Sequence, residues 1–108
     1  MTNAIETSVE GADLEDLGDG RFAVRSDLTF EFATSLLSQS AQRFAGHARI
    51  YVDMSGVRQS DSAGLALLLE WVSWARHYER EIVYENIPAQ LLSIAEISEV
   101  TDILASHQ

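Results

Sequence analysis

Apolar and polar residues change period several times along this chain, and each change marks an element. After the turn signal Gly18-Asp19-Gly20, Phe22 and Val24 alternate with Arg21, Ala23 and Arg25. That spacing predicts a strand with one buried face, closing a β-hairpin with the short stretch Ala12 to Leu17. Ser26-Asp27-Leu28-Thr29 is rich in N-cap residues, and Phe32, Leu36, Leu37 and Phe44 then recur at helical spacing. A helix over about Phe30 to Phe44 follows, ended by Gly46 and His47. Arg49 to Met54 is β-branched and aromatic, the pattern of a central strand. After a loop from Ser55 to Ser60, Asp61-Ser62-Ala63-Gly64 opens a long apolar helix running to about Tyr78. Ile82-Val83-Tyr84 is a third strand run. Pro88 suits the first turn of a last helix, where its missing N–H costs nothing. That helix carries Leu91, Leu92, Ile94, Ala95 and Ile97, with Val100, Ile103 and Leu104 packing the end.

The order is β-β-α-β-α-β-α. It predicts an α/β (α+β-like) domain: a mixed sheet of about four strands, with parallel crossovers in its second half and helices mainly on one face. Residues 1–11 are polar and acidic and are expected to be a flexible tail, leaving one domain over 12–108. No internal repeat or linker interrupts it.

The long helix has an unusually wide apolar arc. Leu65, Leu68, Leu69, Val72 and Ala75 form the side expected to pack on the sheet. Leu67, Trp71, Trp74 and Tyr78 form a second stripe. It either packs on a neighbouring helix of the same domain or is partly exposed and binds a partner, since tryptophan and tyrosine are enriched at binding hot spots.

Composition narrows the choice of chemistry. The chain has 108 residues and no cysteine, which removes disulfides, thiolate metal sites and cysteine nucleophiles. Acids outnumber bases 17 to 7, a formal net charge of −10. Such a surface repels nucleic-acid phosphates and anionic lipid and favours a basic protein partner. The first 20 residues hold six acids and no base, unlike a signal peptide, and no apolar run is long enough to span a bilayer. The reading is a soluble, cytoplasmic protein.

Enzyme signatures are weak. There is no Gly-x-Ser-x-Gly elbow, phosphate-binding glycine loop or dinucleotide fingerprint. Ser62, Asp53 and a histidine make a triad only on paper, because His47, His77 and His107 fall in different elements. No spacing suggests a metal site or a cofactor. Glu79, Glu81 and Glu85 read as a solvated rim with which Arg76 and Arg80 can pair. Asp53, near the end of a central strand, is either a buried anchor or a loop-shaping group.

The informative segment is Tyr51-Val52-Asp53-Met54-Ser55-Gly56-Val57, followed by Asp61-Ser62-Ala63-Gly64-Leu65-Ala66-Leu67-Leu68-Leu69. Asp61 or Ser62 can cap the helix by accepting from an exposed N–H, Gly64 allows close backbone approach, and the helix N-terminus favours an anion. A simple cap and a functional loop are both compatible with these residues. The segment, with Ile82 to Pro88 downstream, resembles the STAS domain family over roughly residues 14–104. Within it, the run from Asp61 to Leu69 looks most like the MlaB-type subunit of the bacterial Mla phospholipid transporter.

The resemblance implies a STAS fold and a non-catalytic regulatory and assembly role. It implies binding to the cytoplasmic ATPase of an ABC-type system that maintains outer-membrane lipid asymmetry, with the inner membrane reached only through the permease. No small-molecule substrate is expected. The contact surface expected from turn and stripe together is Ser60, Asp61, Ser62, Ala63, Gly64, Leu67, Trp71 and Trp74, with those of the last three that are exposed as apolar anchors. Ser62 also matches the phosphorylated serine of STAS anti-sigma-factor antagonists, so it is a candidate phosphoacceptor in an alternative phospho-switch. Ala63 departs from the second hydroxyl often found there.

Overall fold

The computed structural model describes residues 13–108; the acidic stretch expected to be a tail lies outside them. Strands β1 (Leu14–Gly18) and β2 (Arg21–Val24) form the expected hairpin, followed by α1 (Phe30–Arg43), a 3-10 turn (Phe44–Gly46), β3 (Arg49–Asp53), α2 (Ser62–His77), β4 (Glu81–Glu85), α3 (Ala89–Ile97) and α4 (Thr101–Ala105). The sheet order is β1-β2-β3-β4. Only the hairpin pair is antiparallel; β2 to β3 and β3 to β4 are parallel, joined by the crossovers through α1 and α2. The mixed sheet and the element order agree with the sequence. The addition is α4, which turns the expected trailing apolar residues into a helix of its own.

Period-two burial explains why one face carries the helices. In β3 and β4, Ile50, Val52, Ile82 and Tyr84 are buried, while Tyr51, Asp53, Val83 and Glu85 between them are only half-buried. The other face carries the ion pairs Arg49–Glu81 at 2.7 Å, Arg25–Glu15 at 2.7 Å and Arg21–Glu85 at 3.3 Å. The six side chains are between 39% and 59% exposed, so these pairs add little stability. Of the expected glutamate rim, Glu81 thus pairs with Arg49 on the adjacent β3 and Glu85 with Arg21 on β2, across β3. Arg80 instead donates to the carbonyls of Ala45 and His47 at 2.8 and 2.6 Å, satisfying backbone groups where the first crossover leaves its helix.

The core is aromatic at its centre. Phe44 sits between Phe22, at 5.0 Å between ring centroids, and Trp71, at 5.3 Å. Trp71 is 1% exposed, and its indole N–H donates to Ser40 Oγ at 2.9 Å. Tyr84 is as deeply placed, its hydroxyl donating to the Leu68 carbonyl at 2.6 Å. Burial raises the Tyr84 pKa well above its ordinary value. Of the side of α2 expected to face the sheet, Leu65, Leu68, Val72 and Ala75 are buried and Leu69 is half-buried.

Three parallel strands run in one direction, so their carboxyl ends, Val24, Asp53 and Glu85, lie at one edge of the sheet. The loops leaving them lead into the N-termini of α1, α2 and α3. That edge holds the candidate site.

Candidate functional site

Backbone and side-chain bonds tie these loops together. Leu28 and Ser60 form an isolated parallel bridge: Leu28 N–H donates to the Gln59 carbonyl at 2.9 Å, and Asp61 N–H to the Leu28 carbonyl at 3.1 Å. Gln59 N–H reaches Asp27 Oδ1 at 3.2 Å, and Ser60 N–H reaches Gln90 Oε1 at 3.0 Å. Asp53 is the loop-shaping group of the two alternatives. Its carboxylate accepts from Asn86 Nδ2 at 2.7 Å, Ser55 Oγ at 2.8 Å and Ser55 N–H at 3.2 Å. The Asn86 bond first, then those from Ser55, hold its pKa below the ordinary 3.8 against the opposing effect of burial.

Asp61 is the N-cap of α2, with Oδ1 accepting from Ala63 N–H at 2.9 Å and Gly64 N–H at 3.3 Å. Its second oxygen accepts from Phe30 N–H at 3.1 Å, and Phe30 is the first residue of α1. One carboxylate therefore caps two helices and fixes the spacing of their first turns. Thr29, the N-cap of α1 by backbone geometry, makes no side-chain cap bond; Asp61 supplies it from 31 residues away. Gly64 makes this junction possible. A Cβ there would lie 2.2 Å from the Leu28 carbonyl oxygen.

The eight expected contact residues separate into two groups. Ser60 is 4% exposed, and its Oγ has no hydrogen-bond partner among the described residues. Gly64 is buried against Leu28. Trp71 belongs to the core, which corrects its place among the exposed anchors: packed against Phe44 and bonded to Ser40, it is 1% exposed and reaches only the floor of the groove described below. Asp61 is occupied by its caps. What remains at the surface is Ser62, exposed at the first position of α2, with half-buried Ala63 and Trp74. Leu67 is 4% exposed but lies along a groove between α1 and α2.

That groove is the main feature the sequence did not indicate. Its first half, about 260 Å³, is lined by Phe30, Ala33, Leu37, Ala63, Ala66 and Leu67, with Thr34 and Glu70. The second half, about 340 Å³, continues from Leu37 and Glu70 past Ala41 to Trp74 and Tyr78. Phe30 is 83% exposed, Tyr78 55% and Leu37 40%. Of the two leucines in the helical spacing of α1, Leu36 is buried at 0% exposure and Leu37 turns to the surface. A second stripe, Phe30, Ala33, Leu37 and Ala41, runs at helical spacing along α1 and was readable. All four residues of the α2 stripe border the groove, Leu67 and Trp71 as its nearly closed floor and Trp74 and Tyr78 as its more open end.

Triad chemistry is not assembled here. His107 Nδ1 lies 3.0 Å from the Ile82 carbonyl, His47 packs edge-on against Phe22, and His77 is at the far end of α2 from Ser62. Asp53 is committed to Ser55 and Asn86. Among the described residues, no helix is long and apolar enough to cross a membrane.

The comparisons agree with this geometry. No curated protein matches the chain closely enough to count as a relative. The family model described as "Mlab, STAS domain" matches residues 14–105, a span from β1 to the end of α4. Domains of that family are generally binding and regulatory domains that mediate protein–protein contacts. With the four-stranded mixed sheet, the helix-opening turn at Asp61 and most of the chain inside the match, this protein belongs to the STAS domain family and is MlaB-like.

Proposed function

We propose that this chain is a non-catalytic regulatory and assembly subunit. It docks on the cytoplasmic ATPase of an ABC-type phospholipid transport system that maintains outer-membrane lipid asymmetry. The observation that carries the reading is the α1/α2 groove, an apolar surface beside the family's own signature turn. Phe30, Leu37, Trp74 and Tyr78 supply the large apolar side chains of a binding hot spot, and the exposed Ser62, next to the groove-lining Ala63, adds a hydroxyl beside one end. The protein is then cytoplasmic and meets the inner membrane through its partner and the permease. Its net charge of −10 opposes direct contact with anionic lipid.

A second reading rests on Ser62. Its exposed side chain sits at the first position of a 16-residue helix, open to a kinase. In that reading the chain is an anti-sigma-factor antagonist switched by phosphorylation, which adds close to two negative charges at the contact surface.

An affinity pull-down from detergent extract, read by mass spectrometry, separates the two. Recovery of an ABC-type ATPase with its permease supports the transport role, and recovery of a serine kinase or an anti-sigma factor overturns it. Titration of the purified ATPase then tests the surface. Ser62→Asp and Trp74→Ala leave the fold intact and weaken binding. An acid in the first turn of α2 is favourable to the helix, so loss of affinity in Ser62→Asp reports the interface. Wild-type affinity in both variants removes the site assignment.

A further inference from the structure

Glu70 is the one ionisable residue that borders both halves of the groove. It is exposed, and no basic group lies within ion-pair distance of it among the described residues. Its surroundings do not balance its charge. From residue 30 to 42 of α1 and from 62 to 75 of α2, the only charged side chains are Glu31 and Glu70. The first bases, Arg43 and Arg76, come at the last turns of those helices. The groove is therefore mainly apolar, with an unpaired carboxylate at its middle and a basic group, the Arg80 guanidinium 5.8 Å from the Trp74 ring centroid, at its far end.

We propose that the groove takes an apolar segment of the partner carrying one central arginine or lysine, and that Glu70 selects it. The inference rests on the docking reading above and names the chemistry of the occupant. Covering Glu70 with a purely apolar surface strips its water and leaves a buried unpaired charge, which is strongly disfavoured. A basic side chain removes that penalty and fixes the register of the segment. Charge also decides against other occupants. A second copy of the chain brings another net charge of −10 and, in a two-fold contact, a second Glu70 into the same groove. An anionic lipid surface is repelled for the same reason.

The test uses the purified ATPase subunit of the transporter as the probe, titrated with the full chain at low and high sodium chloride. Glu70→Gln is expected to weaken binding about tenfold and to flatten its salt dependence, and Glu70→Arg to weaken it more than about a hundredfold. Both variants should keep the urea midpoint of the wild type, because the side chain is exposed and unpaired. Leu37→Asp, an apolar wall of the groove, is the control for docking. If Leu37→Asp abolishes binding while both Glu70 variants bind as wild type, the groove is the interface and the selection by Glu70 is overturned. If Leu37→Asp binds as wild type, the docking reading itself fails and this inference with it. A wild-type dimer in sedimentation that Leu37→Asp dissolves places a second copy in the groove and also overturns it.

Discussion

Gly64→Ala is the sharpest probe of the junction, because local and tertiary effects predict opposite signs. Within a helix, alanine is favoured over glycine by about 1 kcal/mol, so helix propensity alone predicts stabilisation. Here the new Cβ would stand 2.2 Å from the Leu28 carbonyl oxygen and 2.9 Å from both Leu28 C and Cβ. Two of these three atoms are backbone, held by the parallel bridge between Leu28 and Ser60, and cannot rotate away. Restoring ordinary contact requires the first turn of α2 to retreat from Leu28 by about 1 Å. That retreat stretches the Asp61 N–H bond to Leu28, now 3.1 Å, and the Phe30 N–H bond to Asp61, also 3.1 Å. Overpacking costs about 1–3 kcal/mol and each weakened bond about 1 kcal/mol. Set against the gain in propensity, the net destabilisation is about 2–4 kcal/mol.

Urea denaturation followed by tryptophan fluorescence measures it. With a slope of about 1–3 kcal/mol per molar for small proteins, the midpoint should fall by about 1–3 M. Gly46→Ala is the matched control: a Cβ there meets nothing within 4 Å, so its midpoint should stay close to the wild type. A Gly64→Ala variant at or above wild-type stability would refute the close-approach argument and leave only propensity at this position.

Asp61→Ala removes the caps of two helices at once, and a loss of about 2 kcal/mol in the same assay is expected. Asp61→Asn keeps one acceptor oxygen and should fall between it and the wild type. Asp53 gives a pH dependence. Its pKa is lowered in the fold, so its contribution is present at neutral pH and lost as pH drops from its ordinary 3.8 through the folded value. Asp53→Asn should therefore differ from wild type by no more than about 1 kcal/mol near pH 7, with the gap narrowing below about pH 4. A gap that widens in acid would reverse the assigned sign.

The strands and long helices were legible because each carries its own period. Alternation marked β2, β-branched and aromatic runs marked β3 and β4, and apolar spacing marked α1 to α3. Helix ends were less legible where residue type and backbone disagree. Both α2 and α3 end in Schellman motifs: Arg80 N–H bonds back to the Ala75 carbonyl and Val100 N–H to the Ala95 carbonyl. The left-handed residue in each is glutamate, Glu79 with φ 55° and Glu99 with φ 62°, where glycine is usual. Without glycine the stop after α3 gave no signal, and α4 was read as trailing packing.

The site was legible one helix at a time, and the groove is a property of two. Asp61 could be read as the cap of the helix that follows it, because capping is local. Nothing local shows that its other oxygen holds Phe30, since that bond spans 31 residues. The same limit applies to Phe30 and Leu37. Their stripe on α1 is visible at helical spacing, but whether it is core or surface depends on what α2 presents opposite. What α2 presents is small. Ala63 and Ala66 face Ala33 across the first half of the groove, and Ala41 lies in the second. Alanines on both sides leave the seam between the helices open, so Phe30 and Leu37 have nothing to fill against and stay exposed. Tryptophan signalled the α2 side. Both indoles pack near Phe44, but only Trp71 is fully buried, with its N–H bonded to Ser40. The hot-spot residue type therefore identified the right helix, with Trp74 in the groove and Trp71 in the core beneath it. The small residues beside it, which carry no chemical signal of their own, open the groove.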